Sequence, residues 1–117
     1  MDNFLTINKG DITIEVVNLV KATRDQAEEF KTILLKHIKN DNTNLIVDLH
    51  QCDFVDSTFL STLLIALKAV KKKGGSLKIA SPKNDVSEVL EATGMQSVFD
   101  IHPNISDAMK SFNKGGS

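Results

Sequence analysis

The sequence predicts a single α/β domain built on a mixed, mostly parallel five-stranded sheet with about four helices. Three observations lead to this fold class. The chain has 117 residues, an ordinary size for one domain. Strand and helix patterns alternate along most of it, which is typical of parallel strands joined by right-handed crossovers. A hairpin pattern at the start adds one antiparallel strand. We place the domain over residues 1–113 and a disordered tail over residues 114–117.

Two short segments with apolar residues at alternate positions open the chain. They cover Phe4–Ile7 and Ile12–Val17, and Asn8–Asp11 lies between them. This connection predicts a tight hairpin turn in which Gly10 is free to take a positive φ. The first two strands are therefore expected to be antiparallel neighbours, and the period-2 pattern of the second predicts one buried face.

Four helices are predicted from apolar residues that recur at helical spacing. They cover about 24–39, 57–73, 85–94 and 105–112. Thr23 is the expected N-cap of the first helix, and Asp56 or Ser57 that of the second. Asp85, with Glu88 three residues later, resembles a capping box for the third.

The remaining strands are short apolar runs between the helices. Leu45–Leu49 is almost continuously apolar, which predicts a central strand covered on both faces. Leu77–Ala80 and Val98–Ile101 are the fourth and fifth strands, and Phe54–Val55 is an apolar stretch that leads into the second helix. The glycines at Gly74–Gly75 end that helix.

The composition excludes several classes of function. Lys+Arg is 14 and Asp+Glu is 15, so the formal net charge is -1, without the basic excess of a nucleic-acid-binding protein. The single Cys cannot form an intrachain disulfide, which fits a reducing, cytoplasmic environment. No apolar run reaches the ~18 residues of a membrane span, and the N-terminus does not resemble a secretory signal. We therefore expect no nucleic-acid partner and no membrane insertion.

The side chains also argue against an enzyme. The three histidines lie on different segments without metal-ligand spacing, and no glycine-rich phosphate loop follows a strand, so neither a metal nor a cofactor is expected. His50 near Cys52 could be a nucleophile pair, but it has no recognisable third member. The simpler interpretation of Cys52 is a small buried hydrophobe beneath a loop.

One segment, Cys52–Leu60, departs from this pattern because an acidic residue and two hydroxyls stand where a loop becomes a long helix. Helix capping alone would explain them. Yet Leu45–Leu60, with the sequence LIVDLHQCDFVDSTFL, resembles the signature of the STAS domain of bacterial anti-sigma factor antagonists. In that family an apolar strand ends in Asp-Leu, and an Asp-Ser-(Ser/Thr)-Gly-Leu motif opens a helix. Later segments follow in the family's order, and the resemblance covers about Phe4–Phe112.

The resemblance implies a phosphorylation switch. Ser57 matches the phosphorylated Ser of the family, with Thr58 as a weaker candidate. An unphosphorylated antagonist binds an anti-sigma factor that has serine-kinase activity and so frees a sigma factor. Phosphorylation breaks the complex, and a PP2C-type phosphatase restores it. We expect a monomer, with weak dimerisation as the alternative. The residues expected to face the partner are Lys21, Thr23, Asp25, Asp56, Ser57, Thr58, Phe59, Ser61 and Asn84.

Two departures from the family motif lie near this expected face. Phe59 stands where the family has Gly, and its ring is expected either to be buried or to face the partner. The stretch Asn18–Lys21 lacks the carboxylate that family members carry after the second strand. Two other functions stay open: a STAS regulatory subunit of a transport-associated or nucleotide- or lipid-binding complex, and a small enzyme that uses Asp56, Ser57 or Cys52.

Overall fold

The computed structural model describes residues 2–115, with side chains to residue 112. The strands in this part are β1 (Phe4–Lys9), β2 (Ile12–Val17), β3 (Lys21–Ala22), β4 (Asn44–Asp48), β5 (Phe54–Val55), β6 (Ser76–Ala80) and β7 (Asp100–His102). The helices are α1 (Arg24–Lys39), α2 (Ser57–Lys72), α3 (Asn84–Ala92) and α4 (Ile105–Gly115). A short 3-10 turn at Met95–Ser97 follows α3.

The main sheet has five strands in the order β1-β2-β4-β6-β7. β1 and β2 are antiparallel, whereas the β2–β4, β4–β6 and β6–β7 pairs are parallel. The predicted mixed sheet with a hairpin at its start is therefore confirmed. β4 is paired on both sides and buried from Leu45 to Asp48, so the predicted central strand is also confirmed.

A second, two-stranded sheet was not predicted. β3 and β5 pair in parallel, with Lys21 opposite Phe54 and Ala22 opposite Val55. Two residues are too few to show a period, so the sequence carries no pattern for this pairing. Its effect is nevertheless large, because β3 runs almost directly into α1 and β5 into α2, and the pairing therefore sets the two helix starts side by side.

The larger hydrophobic cluster lies on the face of the sheet that α1, α2 and α3 cover. At its centre the ring of Phe30 stacks between two others. Its centroid lies 5.1 Å from that of Phe4 and 4.6 Å from that of Phe59. The stack joins the edge strand β1, the middle of α1 and the first turn of α2, so helix α2 begins directly above the aromatic core.

The opposite face of the sheet packs against α4 through a smaller cluster. The buried residues of this cluster are Ile12, Ile14, Val16, Ile46, Ala80 and Ala108. The prediction that β2 buries only one face is thus wrong, because its second face is also covered. On the other face of β2, which α1 covers, Glu15 is buried, and its Oε1 accepts a hydrogen bond from the Thr6 hydroxyl at 2.6 Å and lies 2.8 Å from His37 Nε2. These partners allow a carboxylate to occupy a position that the alternating pattern assigned to solvent.

Two predicted boundaries near the C-terminus also differ. The capping box at Asp85 is wrong: α3 begins at Asn84, and its N-cap residue Lys83 makes no side-chain capping bond. The last strand begins at Asp100 rather than at Val98, because the 3-10 turn occupies the preceding residues.

Helix α4 extends beyond its predicted end at residue 112 and continues to Gly115. Of the four residues predicted as a tail, Gly116 and Ser117 lie outside the described residues. The boundary at residue 113 stays a prediction.

Candidate functional site

Asp56 links the first residues of α1 and α2. Its Oδ1 accepts the Phe59 N–H at 2.8 Å, which makes it the N-cap of α2, and its Oδ2 accepts the Arg24 N–H at 2.9 Å. Of the two caps that the sequence allowed, Asp56 is therefore the one that forms. A carboxylate at two helix N-termini is favoured because the free amides and the helix dipoles are positive there.

Ser57 and Thr58 occupy the first turn of α2, and both side chains are exposed. Ser61 lies one turn further along the same surface, where its hydroxyl donates to the Ser57 carbonyl at 2.8 Å. Because Asp56 provides the capping acceptor, the Ser57 hydroxyl is not required for the cap. An exposed hydroxyl at a helix start is accessible to another protein.

The start of α1 forms the neighbouring part of this surface. Thr23 is the N-cap, as predicted, since its hydroxyl accepts the Asp25 N–H at 3.3 Å and its own N–H donates to Gln26 at 3.0 Å. Lys21 and Asp25 are exposed on either side of it. The bond from Arg24 to the α2 cap places these residues beside the first turn of α2.

The loop before α3 approaches the same surface from the other side. The Nζ of Lys83 forms an ion pair with Asp53 Oδ1 at 2.7 Å, and Asn84 follows as the exposed first residue of α3. Three separate segments of the sequence-predicted surface thus lie around the start of α2. We call this surface the switch face; it consists of the exposed and half-buried residues of Val20–Asp25 and Asp53–Ser61, together with Lys83–Asn84.

Phe59 does not belong to the switch face, so its predicted contact with a partner is wrong. Its side chain is 0% exposed, and its ring stacks on Phe30 with an interplanar angle of 10°. The first turn of α2 presents Ser57 and Thr58 outward, and the next residue points inward to the core. Of the two expectations for this ring, burial is the correct one.

Two exposed apolar residues of the switch face were missed. Val20 is 57% exposed and Phe54 is 47% exposed. They are held together because the Val20 carbonyl accepts the backbone N–H groups of Asp53 and Phe54 at 2.8 and 3.2 Å. The only sequence signal was that an outward Phe54 is followed by an inward Val55, and two residues are too few to establish alternation. Exposed aromatic side chains of this kind are common anchors in protein–protein interfaces.

Cys52 lies buried beneath the switch face. Burial, together with the nearby Asp48 carboxylate, raises the pKa of its thiol to about 12, and Lys83 offsets this only in part. His50 contacts Asp48, with Nδ1 at 2.7 Å from Oδ2. The thiol is therefore protonated at neutral pH, and Cys52 packs as a small buried hydrophobe.

Residues 2–115 contain no group of three or more His, Cys, Asp or Glu side chains placed to hold a metal ion. In the same part of the chain, no helix is long and apolar enough to cross a membrane.

Two relatives are similar to this chain over most of their length. The anti-sigma-B factor antagonist of Bacillus subtilis is 26% identical over 94 residues, which cover 80% of this chain and 84% of the relative. A Thermotoga maritima protein described as a candidate anti-sigma factor antagonist is 29% identical over 87 residues, which cover 74% and 77% of the two chains.

Solved structures share the fold. A crystal structure of a Thermotoga maritima protein with that same description has a TM-score of 0.86 at 24% identity, and 92% of each chain is covered. The Bacillus cell fate determinant SpoIIAA, solved in its phosphorylated form, has a TM-score of 0.73 at 13% identity, with 93% and 98% covered. At such identities these structures establish the fold alone.

The model of the STAS domain family matches residues 9–108, which include every strand and helix from β2 to the first turn of α4. The chain therefore belongs to the STAS domain family.

Proposed function

We propose that this protein is an anti-sigma factor antagonist, a regulatory binding protein rather than an enzyme, whose affinity for its partner is switched by phosphorylation of Ser57. The main support is the exposed Ser57 hydroxyl beside the Asp56 cap, at the centre of a surface with exposed apolar side chains. The names of the two relatives support the same function. The partner would be an anti-sigma factor with serine-kinase activity, and a PP2C-type phosphatase would reset the switch in the cytoplasm.

In the unphosphorylated state, the switch face offers a mixed surface to that partner. Val20 and Phe54 provide apolar area that binding can remove from water. The exposed polar side chains around them, from Lys21, Asp25, Ser61 and Asn84, would form the rim of the interface. Such rims contribute more to specificity and association rate than to affinity.

Phosphorylation would place about -1.5 to -2 charges at the start of α2. A helix N-terminus normally stabilises a phosphate through its free amides. Here the Phe59 and Arg24 amides already donate to Asp56, so fewer amides are available to the phosphate. Asp56 adds negative charge nearby, and the Lys83 ammonium group is already paired with Asp53. The new charge would therefore stay largely uncompensated, and a partner that binds the neutral surface would be repelled or left with a desolvated anion.

The experiment is phosphate incorporation followed by titration of the partner. The purified protein is incubated with ATP and the anti-sigma factor kinase of the same organism, and incorporation is followed by intact mass. Ser57→Ala should take up no phosphate and should still bind, whereas the matched control Thr58→Ala should behave as wild type. Ser57→Asp should weaken binding only in part, since it adds one charge. Equal phosphate uptake by wild type and Ser57→Ala would contradict the proposal, because the phosphate would then lie on another residue.

The position of the interface is tested with surface variants. Ser61→Arg and Asn84→Arg should weaken binding of the partner without lowering the melting temperature, because both side chains are exposed on the switch face. Ser97→Arg is the matched control, an exposed position in the 3-10 turn outside the switch face. If all three variants bind alike, the partner does not contact this surface.

A further inference from the structure

The positive charge of this chain is concentrated at one end of the helix pair. The C-terminal halves of α1 and α2 and the residue that follows α2 carry a group of exposed lysines, which we call the basic end. Its members are Lys36, Lys39, Lys68, Lys71, Lys72 and Lys73. Helix α2 contains no Asp or Glu, and the acidic residues of α1 all precede Phe30. Since the whole chain has a net charge of -1, this concentration is local and does not follow from composition.

A groove of about 630 Å³ runs between α1 and α2 at the basic end. Leu35, Ile65 and Ala69 line its floor, and Ile65 is 45% exposed although it lies in the middle of a helix. Four lysines of the basic end also line the groove: Lys39, Lys68, Lys72 and Lys73. Of these four lysines, only Lys73 forms an ion pair with a carboxylate of the described residues, that of Asp41 at 3.0 Å.

Helix dipoles explain only part of this arrangement. Cations are favoured in the last turn of a helix, which accounts for Lys71 and Lys72. Lys68 lies one turn earlier, where the effect of the dipole has largely faded. The dipole also gives no reason to expose the apolar side chain of Ile65 between lysines. An apolar floor with a cationic rim is, however, the arrangement expected of a surface that binds an anionic, amphipathic partner.

We propose that this groove binds an acidic amphipathic helix of a partner protein. The apolar floor lies between two helices, so a ridge of apolar side chains on a third helix can pack between them, while the lysines around the floor favour acidic flanks on that helix. From Ile65 to Lys72 the groove extends over ~10 Å of α2, or about two helical turns. It would therefore accept apolar residues at i and i+3 or i+4, while acidic residues on both sides of that ridge face the lysine rim.

The groove is separate from the switch face. Ser57 and Lys68 lie ~16 Å apart along the axis of α2. A second partner could therefore bind while the switch face is occupied, and the inference does not depend on phosphorylation of Ser57.

The test uses a designed helical peptide with leucines on one face and glutamates on the flanks, and a matched peptide in which lysines replace the glutamates. Each is titrated into the ¹⁵N-labelled protein and followed by amide chemical shifts. The acidic peptide should shift the amides around Leu35, Ile65 and Lys68 and leave Ser57 unchanged. The double variant Lys68→Glu/Lys72→Glu should lose at least about tenfold in affinity, because attraction becomes like-charge repulsion. Ser57→Ala should bind as wild type.

Lys110→Glu is the charge control, since this exposed lysine lies on α4 across the sheet. Ile65→Ser tests the apolar floor without a change of charge and should also weaken binding. Equal binding of the two peptides, shifts that map elsewhere, or unchanged affinity of the double variant would overturn the proposal. Shifts at the groove with vesicles of phosphatidylglycerol but not with the peptide would also overturn it and would assign the groove to a membrane. Shifts that follow protein concentration alone would overturn it too and would assign the groove to a second copy of the chain.

Discussion

The two ends of the α1–α2 pair are joined by groups of opposite charge. At the N-terminal end, the Asp56 carboxylate accepts one backbone N–H from each helix. At the C-terminal end, the Lys73 ammonium group donates to the Ile38 carbonyl at 2.8 Å and pairs with Asp41. Each charge is of the sign that the helix dipoles favour at that end.

The two ends nevertheless differ in how firmly they are held. The N-terminal end combines the half-buried Asp56, the paired strands β3 and β5, and the aromatic stack below. At the C-terminal end the charged link is the long, partly exposed side chain of Lys73. The close contact at this end is between backbone atoms. A Cβ on Gly75 would lie 2.2 Å from the Thr43 carbonyl oxygen, so only glycine fits there. The end that carries the proposed switch is thus held by buried and half-buried side chains, whereas the basic end is held by one partly exposed lysine and a close approach of Gly75 to the Thr43 backbone.

The largest effect is expected from removal of the ring below the switch face. Phe59→Ala should lower the free energy of unfolding by about 3–5 kcal/mol, because it removes a buried aromatic side chain and leaves a cavity against Phe30. Urea denaturation monitored by circular dichroism measures this change. Phe54→Ala is the control, an exposed aromatic residue on the same surface whose loss should cost about 0.5 kcal/mol or less. A similar cost for both variants would contradict the assignment of Phe59 to the core.

A smaller effect is expected at the link itself. Asp56→Ala should lower the free energy of unfolding by about 2 kcal/mol, near the upper limit for loss of an N-cap, since amides of both helices lose their acceptor. Asp56→Asn is the matched control and should cost less, because its amide oxygen can still accept one of the two bonds. Denaturant titration of the three proteins measures the difference.

Labelling of Cys52 shows whether the loss of stability in Asp56→Ala is local. In the native protein the pKa of about 12 and the buried position should keep labelling by a thiol reagent slow at pH 8. Asp56→Ala should accelerate labelling about tenfold for each ~1.4 kcal/mol by which it lowers the free energy of local opening. Unchanged labelling in this variant would mean that Asp56 does not hold the N-terminal end closed.

The smallest effect is expected at the other link. Lys73→Met should cost about 1 kcal/mol or less, because it keeps most of the aliphatic stem and removes a partly exposed charge. The cost should shrink further at high salt, and labelling of Cys52 should not change. A cost as large as that of Asp56→Ala would show that the two ends are held equally.

Most of the fold could be predicted from the sequence, because the long elements have clear periods and marked ends. The apolar run at Leu45–Leu49 and the Thr23 cap are examples, and both are confirmed. The β3–β5 pairing could not be predicted, since two residues show no period. Glu15 was misplaced because burial of a carboxylate depends on Thr6 and His37, which are distant in sequence.

The candidate site was predicted less completely than the fold. The position of Ser57 could be predicted because its motif is a short stretch of consecutive residues. The burial of Phe59 depends on stacking against α1, and the exposure of Val20 and Phe54 depends on the small sheet. The groove of the basic end combines residues of two helices that are distant in sequence, so no single segment indicates it.

The aromatic stack also determines how this protein can be observed. The chain contains no Trp and no Tyr, so phenylalanine is its only aromatic chromophore. Three of its six phenylalanines, Phe4, Phe30 and Phe59, are stacked on one another, so near-ultraviolet circular dichroism includes a report on the packing beneath the start of α2. A single tryptophan introduced at Phe54 would emit without background, and its fluorescence would follow the binding of a partner at the switch face in real time.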